Sequence, residues 1–443
     1  MSFERALRRA GSGARSAASH VALSGSVDVD PELLRIPPGF AWSFWDTRGK
    51  RELEPELTLG VGAARVVTAR GPDRFADARA SFAATLADIE RLDAAPLRAF
   101  GGLGFEPDSP GPFAALGDLR FAIPRWTFTR RGVETRVTLV AEPRELSRPE
   151  SLLEELRTLR RPRAKPSTGP TSMLDDGKAR FLSAARDAVA HVEAGALDKV
   201  VVVRRTVLAG SFDPGVALDA LAQEFGVTRF GFSDGTRSFV GATPELLVRW
   251  DGSQVQSEAV AGTLGRARDP EELRRSAKDR LEHDYVVGAV RAALSSAGAE
   301  IESEREPEIR SLRHVHHLVT PIAGMLREPR HVLDLVGALH PTPAVLGVPA
   351  DLARAFLRRA EHFPRGWFAA PVGCIEANGT GSFVVALRSA LLSQTRAWLF
   401  AGSGVVRGSA AEAELAETEA KLMTMLAALG AGRAPGPWAE SAP

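Results

Sequence analysis

The chain has 443 residues, and its 56 Lys and Arg nearly balance its 55 Asp and Glu, which gives no global attraction for nucleic acids or anionic membranes. Its single cysteine, Cys374, excludes an intramolecular disulfide and a cysteine-based zinc site. No uncharged stretch approaches the roughly 18 residues of a membrane-spanning helix. We therefore expect a cytoplasmic protein with neither a nucleic-acid nor a membrane partner.

The first 160 residues are predicted to form mostly antiparallel sheet. Short β-like runs broken by Gly and Pro occur at 57–67, 100–105 and 120–126, and a helix is expected over 75–93. Residues 1–25, rich in Arg and Ser, are expected to be mobile. The polar, Pro-rich residues 161–176 predict an exposed loop, and residues 430–443 predict a disordered tail.

Residues 177–429 are more regularly patterned. Apolar periodicity predicts strands over 199–203, 238–248 and 383–387, and helices over 179–194, 270–297, 332–338, 349–361 and 410–429. The order includes hairpins, and there is no internal repeat. The fold class is therefore predicted to be α+β, with sheet packed on sheet and helices outside.

The last predicted helix carries acids and a lysine on one face. A capping-box sequence at 409–412 predicts that the helix begins just after Ser409. From that start, Glu414, Glu417 and Lys421 fall at i, i+3 and i+7. The Gly-rich residues 401–408 before the helix predict a turn whose N–H groups could hold an anion. The alternative is a solvated acidic face with ordinary ion pairs.

A second helix repeats this pattern, with Asp279 and Glu282 at i and i+3. If the two acidic faces converge, their hard oxygen ligands suit Mg²⁺, which usually keeps several waters. The alternative is again a surface helix with ordinary acid–base pairs.

Three histidines are candidates for a zinc site, and one Gly-rich run is a candidate for a nucleotide-binding loop. In an extended segment His314 and His316 would share one face, with His317 on the other. No cysteine or acid stands at ligand spacing nearby, so a hydrogen-bonding His317 is favoured over zinc. The glycines of 101–104 lack the spacing and context of a nucleotide-binding loop.

Two isolated charges are candidates for an acid and a base. Lys199 begins a β-branched run that should be buried, and burial favours the neutral form of a lysine, which can accept a proton. Glu245 lies amid apolar strand residues, where burial should raise its pKa and favour the acid form. Ordinary charges at strand ends are the alternative.

The order of these pieces resembles the chorismate-utilising enzymes. Ten blocks match that family in sequence order: KVVVVRR (199–205), GATPE (241–245), AVAGT (259–263), KDRLEH (278–283), HHL (316–318), LHPT (339–342), RGWFA (365–369), VALRS (385–389), AGSG (401–404) and ExxETxxK (414–421). The match covers about 179–429, and 26–160 match loosely. The resemblance implies one large domain over 26–429, with a central β-sandwich between helical layers and 161–176 as a surface loop.

Within this family, several positions distinguish the reactions. Members that add water resemble this chain in having a lysine at 199, whereas ammonia-using members commonly have glutamine there. Aminodeoxychorismate synthases typically carry a lysine at the position of Ala261. Salicylate synthases usually have tyrosine and threonine at the positions of Phe368 and Ala344. The resemblance therefore implies an isochorismate synthase, which converts chorismate to isochorismate with Mg²⁺ and needs no glutaminase subunit.

The resemblance also implies roles for individual residues. Lys199 would be the base that activates water, and Glu245 the acid that protonates the leaving hydroxyl. Metal ligation and substrate contacts are implied for a larger set: Glu282 and Glu417 on Mg²⁺, Asp279 and Glu414 behind them, Arg388 on the enolpyruvyl carboxylate, Gly402, Gly404 and Lys421 near the ring carboxylate, and Gly262, Thr263, His317, Ala344 and Phe368 around the ring.

Two alternatives remain open at this stage. A salicylate synthase would go on to eliminate pyruvate from isochorismate. A catalytically silent chorismate-binding subunit would more often have lost one of the charges. Nothing in the sequence selects among menaquinone, siderophore and salicylate biosynthesis, or indicates the oligomeric state.

Overall fold

The computed structural model describes residues 1–11, 17–34, 36, 39–108, 111–159, 169–302 and 306–431. Within these residues the helices are Phe3–Gly11 (α1), Arg74–Ala87 (α2), Pro143–Leu146 (α3), Pro149–Leu159 (α4), Lys178–Glu193 (α5), Pro214–Ala220 (α6), Glu271–Arg275 (α7), Ala277–Ser296 (α8), Val332–Leu339 (α9), Ala350–Ala360 (α10) and Ala411–Ala428 (α11).

The strands of the described chain are His20–Ser26 (β1), Trp42–Asp46 (β2), Leu57–Val61 (β3), Arg65–Ala69 (β4), Ile89–Arg91 (β5), Arg98–Leu103 (β6), Leu119–Ile123 (β7), Trp126–Arg131 (β8), Glu134–Ala141 (β9), Gly169–Asp175 (β10), Lys199–Ser211 (β11), Thr228–Ser233 (β12), Ser238–Thr243 (β13), Leu246–Trp250 (β14), Gln254–Gly265 (β15), Ala299–Ile301 (β16), Glu308–Ser311 (β17), Val315–Leu326 (β18), Gly347–Val348 (β19), Pro371–Glu376 (β20), Gly381–Val385 (β21), Ser389–Leu392 (β22) and Arg396–Val406 (β23).

These strands form two large sheets. The first has the order β10-β11-β23-β22-β13-β12-β2-β3-β8-β9-β1-β5, with β19 also on β11. The second has the order β16-β18-β15-β14-β21-β20-β6-β7-β4, with β17 also on β18. One large core contains aromatic residues of both sheets, such as Phe230 and Phe239 from the first and Phe121 and Phe383 from the second. The predicted α+β class with sheet packed on sheet is confirmed.

Two chain segments pass from the first sheet to the second at the same place. Strand β13 pairs with β22 in the first sheet, while their continuations β14 and β21 pair in the second. The crossing residues are Pro244 and Glu245 on one segment and 386–388 on the other. The single strand predicted over 238–248 is therefore two strands in different sheets, because Pro244 has no N–H to continue a ladder.

The helices cover the outer faces of the sheets by their apolar stripes. On α5, Phe181, Ala184, Ala188 and Val192 recur at helical spacing and are buried against the sheet. A second core packs α1, α4, α6 and α11 against the first sheet. None of the helices in the described ranges is both long and apolar enough to span a membrane.

Several predicted elements differ in their extent. The expected mobility of 1–25 is wrong where this segment is described, because α1 buries Phe3 and Leu7, and β1 pairs with β9. In the loop predicted over 161–176, Gly169–Asp175 is an edge strand on β11, and 161–168 lie outside the described residues. The helix predicted over 75–93 ends at Ala87. Most of the predicted tail, 432–443, also lies outside the described residues.

The long helix predicted over 270–297 is two helices. Its break is at Ser276, whose extended backbone ends α7 and whose hydroxyl accepts a hydrogen bond from the Asp279 N–H at 3.1 Å. Ser276 is therefore the N-cap of α8. This cap fixes where α8 begins, and places Asp279 and Glu282 in its first two turns.

Candidate active site

A cavity that is partly open to solvent lies beside the place where the segments change sheets. Eleven of the predicted site residues line it, namely Glu245, Gly262, Thr263, Glu282, His317, Ala344, Phe368, Arg388, Gly402, Gly404 and Lys421. The other four, Lys199, Asp279, Glu414 and Glu417, lie directly behind this lining, as the contacts below describe. The predicted residues, spread over more than 200 positions of sequence, therefore come together in space.

Glu245 is a buried carboxyl group at the sheet crossing. Its residue is 3% exposed, and burial raises its pKa to about 8, helped by the neighbouring charge of Glu258 and opposed by Lys199, Lys50 and Lys421. The expectation that burial would raise the pKa of this carboxyl group is confirmed in direction. At neutral pH this group is mostly protonated and has a proton to give.

Lys199 begins β11 and is fully buried next to Glu282. The Lys199 Nζ lies 3.0 Å from Glu282 Oε1. Gly404 on β23 makes room for this pair, because a Cβ at position 404 would overlap the Glu282 carboxylate and stand 3.2 Å from Lys199 Cε. The glycine at 404 is thus required by the close approach of these two side chains to the backbone.

Four carboxylates of α8 and α11 stand on the same side of the cavity. Glu414 is 1% exposed, which rules out the alternative of a solvated acidic face for α11. Burial raises the pKa of Glu417, and Glu414 and Glu282 raise it further against the opposing charge of Lys421. Burial also raises the pKa of Asp279, with Glu282 adding to it. The neighbouring carboxylates therefore oppose the ionisation of Glu417 and Asp279.

Each of three carboxylates holds a lysine in this structure. The ion pairs are Lys199 with Glu282 at 3.0 Å, Lys278 with Glu414 at 2.6 Å and Lys421 with Glu417 at 2.6 Å. In the described part of the chain, no three His, Cys, Asp or Glu groups already converge on one metal position. The donor set of hard oxygens nevertheless fits Mg²⁺, since it offers several carboxylates in one partly buried place.

His317 and Arg388 form a buried pair in the cavity lining. The Arg388 guanidinium donates to His317 Nε2 at 3.1 Å, so this nitrogen is the unprotonated one. His317 Nδ1 then donates to the Gly262 carbonyl at 3.1 Å and also lies 3.2 Å from Thr263 Oγ1. Burial and the charge of Arg388 lower the pKa of His317 well below its ordinary value. The predicted hydrogen-bonding histidine is neutral, and its tautomer is fixed.

Arg388 itself stands in an unusual backbone conformation. Its φ is +47°, in the left-handed region that non-glycine residues rarely adopt. Burial lowers its pKa to about 10, against the opposing charges of Glu417 and Glu224. Strained backbone conformations of this kind are concentrated at functional sites, so the conformation of Arg388 is consistent with a place in the site.

Gly262 marks a bulge in β15. The register of β15 on β18 shifts between Ala261 and Thr263, and Gly262 has a φ of +74°. The bulge aims the Gly262 carbonyl at His317. It also brings the backbone close to α8, because a Cβ added at position 262 would lie 3.2 Å from Asp279 Cβ. The two other histidines of this segment, His314 and His316, do not line the cavity, and His316 contacts Ser311 and Arg266.

The Gly-rich residues 401–408, predicted as a turn, lie mainly in the strand β23. Val201 donates its N–H to Leu346 and Val203 donates to Glu361, so both turn their backbone groups away from β23. Gly404 and Gly402 stand opposite them, and both pairs are therefore of the non-hydrogen-bonded kind. The backbone groups of these glycines point toward α11 and the cavity, where the Gly402 carbonyl accepts from Lys421 Nζ at 2.9 Å.

The predicted capping box at 409–412 does not form. Helix α11 begins at Ala411, and Ser409 instead accepts a hydrogen bond from the Val406 N–H at 3.1 Å. Glu412 pairs with Arg186 at the surface. The start of the helix differs from the prediction by one residue, which leaves Glu414, Glu417 and Lys421 on the face toward the cavity.

The remaining wall is apolar and aromatic. The ring of Phe368 stacks on Phe400 with centroids 5.1 Å apart, and Ala344 lies beside them in the lining. Phe400 and Arg365 also line the cavity and were not assigned a role from the sequence. Arg365 holds the wall by donating to the carbonyls of Val201 and Val345 at 2.7 Å each. Its only sequence signal was its place in the block 365–369.

Fold and site together define an enzyme that binds a small anionic molecule in a buried cavity lined by cations and acids. Residues 40–430 match the family model described as "Chorismate binding enzyme". The chain belongs to this family, which confirms the resemblance inferred from the sequence.

Individual relatives agree with this assignment. The chain is 34% identical to the salicylate biosynthesis isochorismate synthase of Pseudomonas aeruginosa over 97% of this chain and 94% of that protein. It is 37% identical to isochorismate synthase MenF of Bacillus subtilis over 57% of this chain and 56% of that protein. The solved structure of MenF, the menaquinone-specific isochorismate synthase of Escherichia coli, shares the fold with a TM-score of 0.79 at 24% identity, covering 97% of this chain and 100% of the other.

Proposed function

We propose that the protein is an isochorismate synthase that converts chorismate to isochorismate. The observation that carries the proposal is the presence of a buried lysine and a buried protonated carboxylic acid, Lys199 and Glu245, at one cavity. The names of the relatives support the same reaction, since those described above are isochorismate synthases. The pathway that uses the product is left open.

The reaction exchanges one hydroxyl position for another. Water attacks C2 of the chorismate ring, the ring double bonds shift, and the hydroxyl group leaves from C4. Lys199, in its neutral form, takes the proton of the attacking water, and Glu245 gives its proton to the departing hydroxide, which leaves as water. One water enters and one leaves, so the net change is an isomerisation. The proton on Lys199 then returns to Glu245 directly or through solvent.

The anionic substrate would be held by cations around the cavity. Arg388 presents a planar fork suited to the enolpyruvyl carboxylate. Lys421, together with the free N–H groups of Gly402 and Gly404, would face the ring carboxylate. His317, Thr263 and the bulge at Gly262 would contact the ring, because they supply polar groups to the cavity lining.

Magnesium is part of the proposal. Glu282 and Glu417 would hold Mg²⁺, with Asp279 and Glu414 binding its waters, and the ion would neutralise the ring carboxylate. Because lysines neutralise three of these acids, metal binding would require the pairs of Lys199 with Glu282, Lys278 with Glu414 and Lys421 with Glu417 to loosen.

The cavity favours release of isochorismate over further elimination of pyruvate. At the two positions where salicylate synthases usually have hydroxyl groups, this chain has Phe368 and Ala344, and both line the cavity. Tyr285, the single tyrosine of the sequence, does not line it.

The test is a product analysis of the purified protein with chorismate and Mg²⁺, with Lys199→Met as the matched control. Isochorismate from the wild type and none above background from the variant is the expected result. Salicylate with an equal amount of pyruvate would move the protein to the salicylate synthases. No product from the wild type would contradict the proposal and favour a silent chorismate-binding subunit.

A further inference from the structure

The sheet crossing leaves the backbone around Glu245 without a regular ladder. Glu245 itself is tied to its neighbours, because its carbonyl accepts from the Val385 N–H at 3.1 Å and its N–H donates to Thr243 Oγ1 at 3.3 Å. The Pro244 carbonyl and the Leu246 N–H on either side are buried groups that also need partners. These two groups find them in side chains.

A buried cluster of three charged residues supplies these partners. Lys50 Nζ donates to the Pro244 carbonyl at 2.6 Å, and Arg310 Nη1 donates to the same oxygen at 2.9 Å. The Leu246 N–H donates to Glu258 Oε2 at 3.1 Å. The carboxylate of Glu258 in turn holds Lys50 and Arg310, each at 2.5 Å. Every peptide group next to Glu245 is thus fixed by this cluster.

The cluster is costly to bury and joins distant parts of the chain. Lys50 is 2% exposed and Glu258 is 3% exposed, while Arg310 reaches the surface with 16% of its side chain. Lys50 lies in the loop after β2, Glu258 on β15 and Arg310 on β17. A buried ion pair adds little stability over an apolar core, so its retention here calls for another reason.

We propose that Lys50, Glu258 and Arg310 position Glu245, by clamping the peptide groups on both sides of it so that its carboxyl group is held at the cavity. The proposal rests on the proposed function, in which Glu245 is the acid. No described residue of the N-terminal part of the chain lines the cavity. Through Lys50, this part of the chain would nevertheless act on the site.

The same cluster sets the charge around Glu245. Glu258 raises the pKa of Glu245, whereas Lys50 lowers it. Lys50 and then Arg310 outweigh the effect of burial and lower the pKa of Glu258 itself to about 2, which keeps this carboxylate charged at all working pH values. The other charged or titratable groups that face Glu245 come from β11, α8, α11, β18 and the second crossing: Lys199, Glu282, Lys421, His317 and Arg388.

Two variants should therefore move the pH dependence in opposite directions. In Glu258→Gln the positive charges of Lys50 and Arg310 lose their partner, so the pKa of Glu245 falls and the alkaline limb of kcat/KM moves down by about one pH unit. In Lys50→Met a positive charge is lost, so the limb moves up by a similar amount. Both variants should lower kcat about tenfold, because the clamp on the acid is loosened.

Glu56→Gln is the matched control. Glu56 is 4% exposed and pairs with two arginines, Arg98 and Arg131, none of which lines the cavity. This variant should lose stability while its alkaline limb stays at the wild-type position. If the Lys50 or Glu258 variant does not fold, Arg310→Met at the partly exposed member replaces it, with the limb again expected to move up and kcat to fall.

Alkaline limbs that coincide with that of the wild type, with kcat values no lower than in Glu56→Gln, would overturn the positioning proposal. Limbs that each move in the direction expected for that variant, together with a fall in kcat, would support it. A failure of the proposed function is distinguishable, because a wild-type protein that forms no isochorismate has no such profile, and that result would overturn both proposals.

Discussion

At the scale of single residues, the site is defined by charges that are hidden from water. Lys199 and Glu245 are nearly inaccessible, and Arg388 is 8% exposed. Burying a charge is unfavourable unless it is paired or changes its protonation state. Here Lys199 is paired and Glu245 takes up a proton. The raised pKa of Glu245 is what a general acid requires, whereas Lys199 must leave its pair with Glu282 and lose a proton before it can act as a base.

Glu245→Gln is predicted to lower kcat by a factor of about 10² to 10⁴, the usual range for loss of a general acid. The amide has a similar shape but no proton of suitable acidity. Steady-state kinetics with chorismate checks this, with circular dichroism to confirm the fold. Wild-type rates in the variant would remove Glu245 from the mechanism.

The raised pKa of Glu245 also predicts a pH-dependent stability. A carboxyl group whose pKa is about 8 when folded and about 4.3 when unfolded favours the folded state fully below pH 4, and this contribution is lost as the pH rises toward 8. Glu245→Gln lacks this loss. Relative to the wild type, the free energy of unfolding of the variant should therefore rise by roughly 3 to 4 kcal/mol between pH 5 and pH 8. Urea unfolding at pH 5 and pH 8 measures it, and a constant difference between the proteins would contradict the prediction.

At the scale of elements, strand β23 and helices α8 and α11 place the acids around the lysine. Gly404 allows the close approach, and Gly404→Ala is predicted to lower kcat/KM at least about tenfold, because the added methyl group displaces Glu282 from Lys199. Gly288→Ala is the control, since a Cβ there meets nothing within 4 Å on the exposed face of α8. The control should keep full activity. Equal kinetics in the two variants would show that the contact at 404 is unimportant.

The acids on α11 predict a dependence on magnesium. Glu417→Gln should weaken Mg²⁺ binding about tenfold or more, because a carboxylate ligand becomes a neutral one. Glu419→Gln, two residues along the same helix, is the control, since Glu419 is about half exposed and pairs with Lys178. Calorimetric titration with Mg²⁺ in the presence of chorismate compares the two. An unchanged affinity in Glu417→Gln would remove this residue from the ligand set.

The elements also show where sequence patterns have limits. Periodicity predicted the regular helices, such as α5 and α10, to within a residue or two, because each has a clear apolar stripe. It joined β13 to β14, because residues on both sides of Pro244 are buried and apolar. A change of sheet is a tertiary event, and only the proline signalled it. The capping box predicted at 409–412 does not form, because the Ser409 hydroxyl accepts a hydrogen bond from the Val406 N–H instead of capping α11.

At the scale of the molecule, the order of family blocks predicted which residues meet. Their roles came from that resemblance, since spacing alone does not bring Lys199 to Glu282. The sequence did not predict the cluster of Lys50, Glu258 and Arg310. Lys50 is 208 positions and Arg310 is 52 positions from Glu258, and none of the three lies within one of the ten family blocks. A lysine beside an acid in a loop gives no sign of such a distant partner.

The N-terminal helix is predicted to stabilise the whole fold. Phe3 is 1% exposed and packs edge-on against Trp126 at 5.7 Å between ring centroids. Phe3→Ala should lower the free energy of unfolding by about 3 kcal/mol and leave KM unchanged, because Phe3 belongs to the core on the outer side of the first sheet. Val133→Ala, at a fully exposed position, should change neither quantity. A Phe3 variant as stable as the wild type would contradict this prediction and favour the expectation that 1–25 are mobile.

The central claim is that this cavity adds water to C2 of chorismate and releases the C4 hydroxyl. The most direct measurement is mass spectrometry of the product formed from chorismate and Mg²⁺ in H₂¹⁸O. The account predicts isochorismate that carries one ¹⁸O atom, located at C2, with no accumulation of pyruvate. Unlabelled isochorismate, or salicylate with pyruvate, would contradict it.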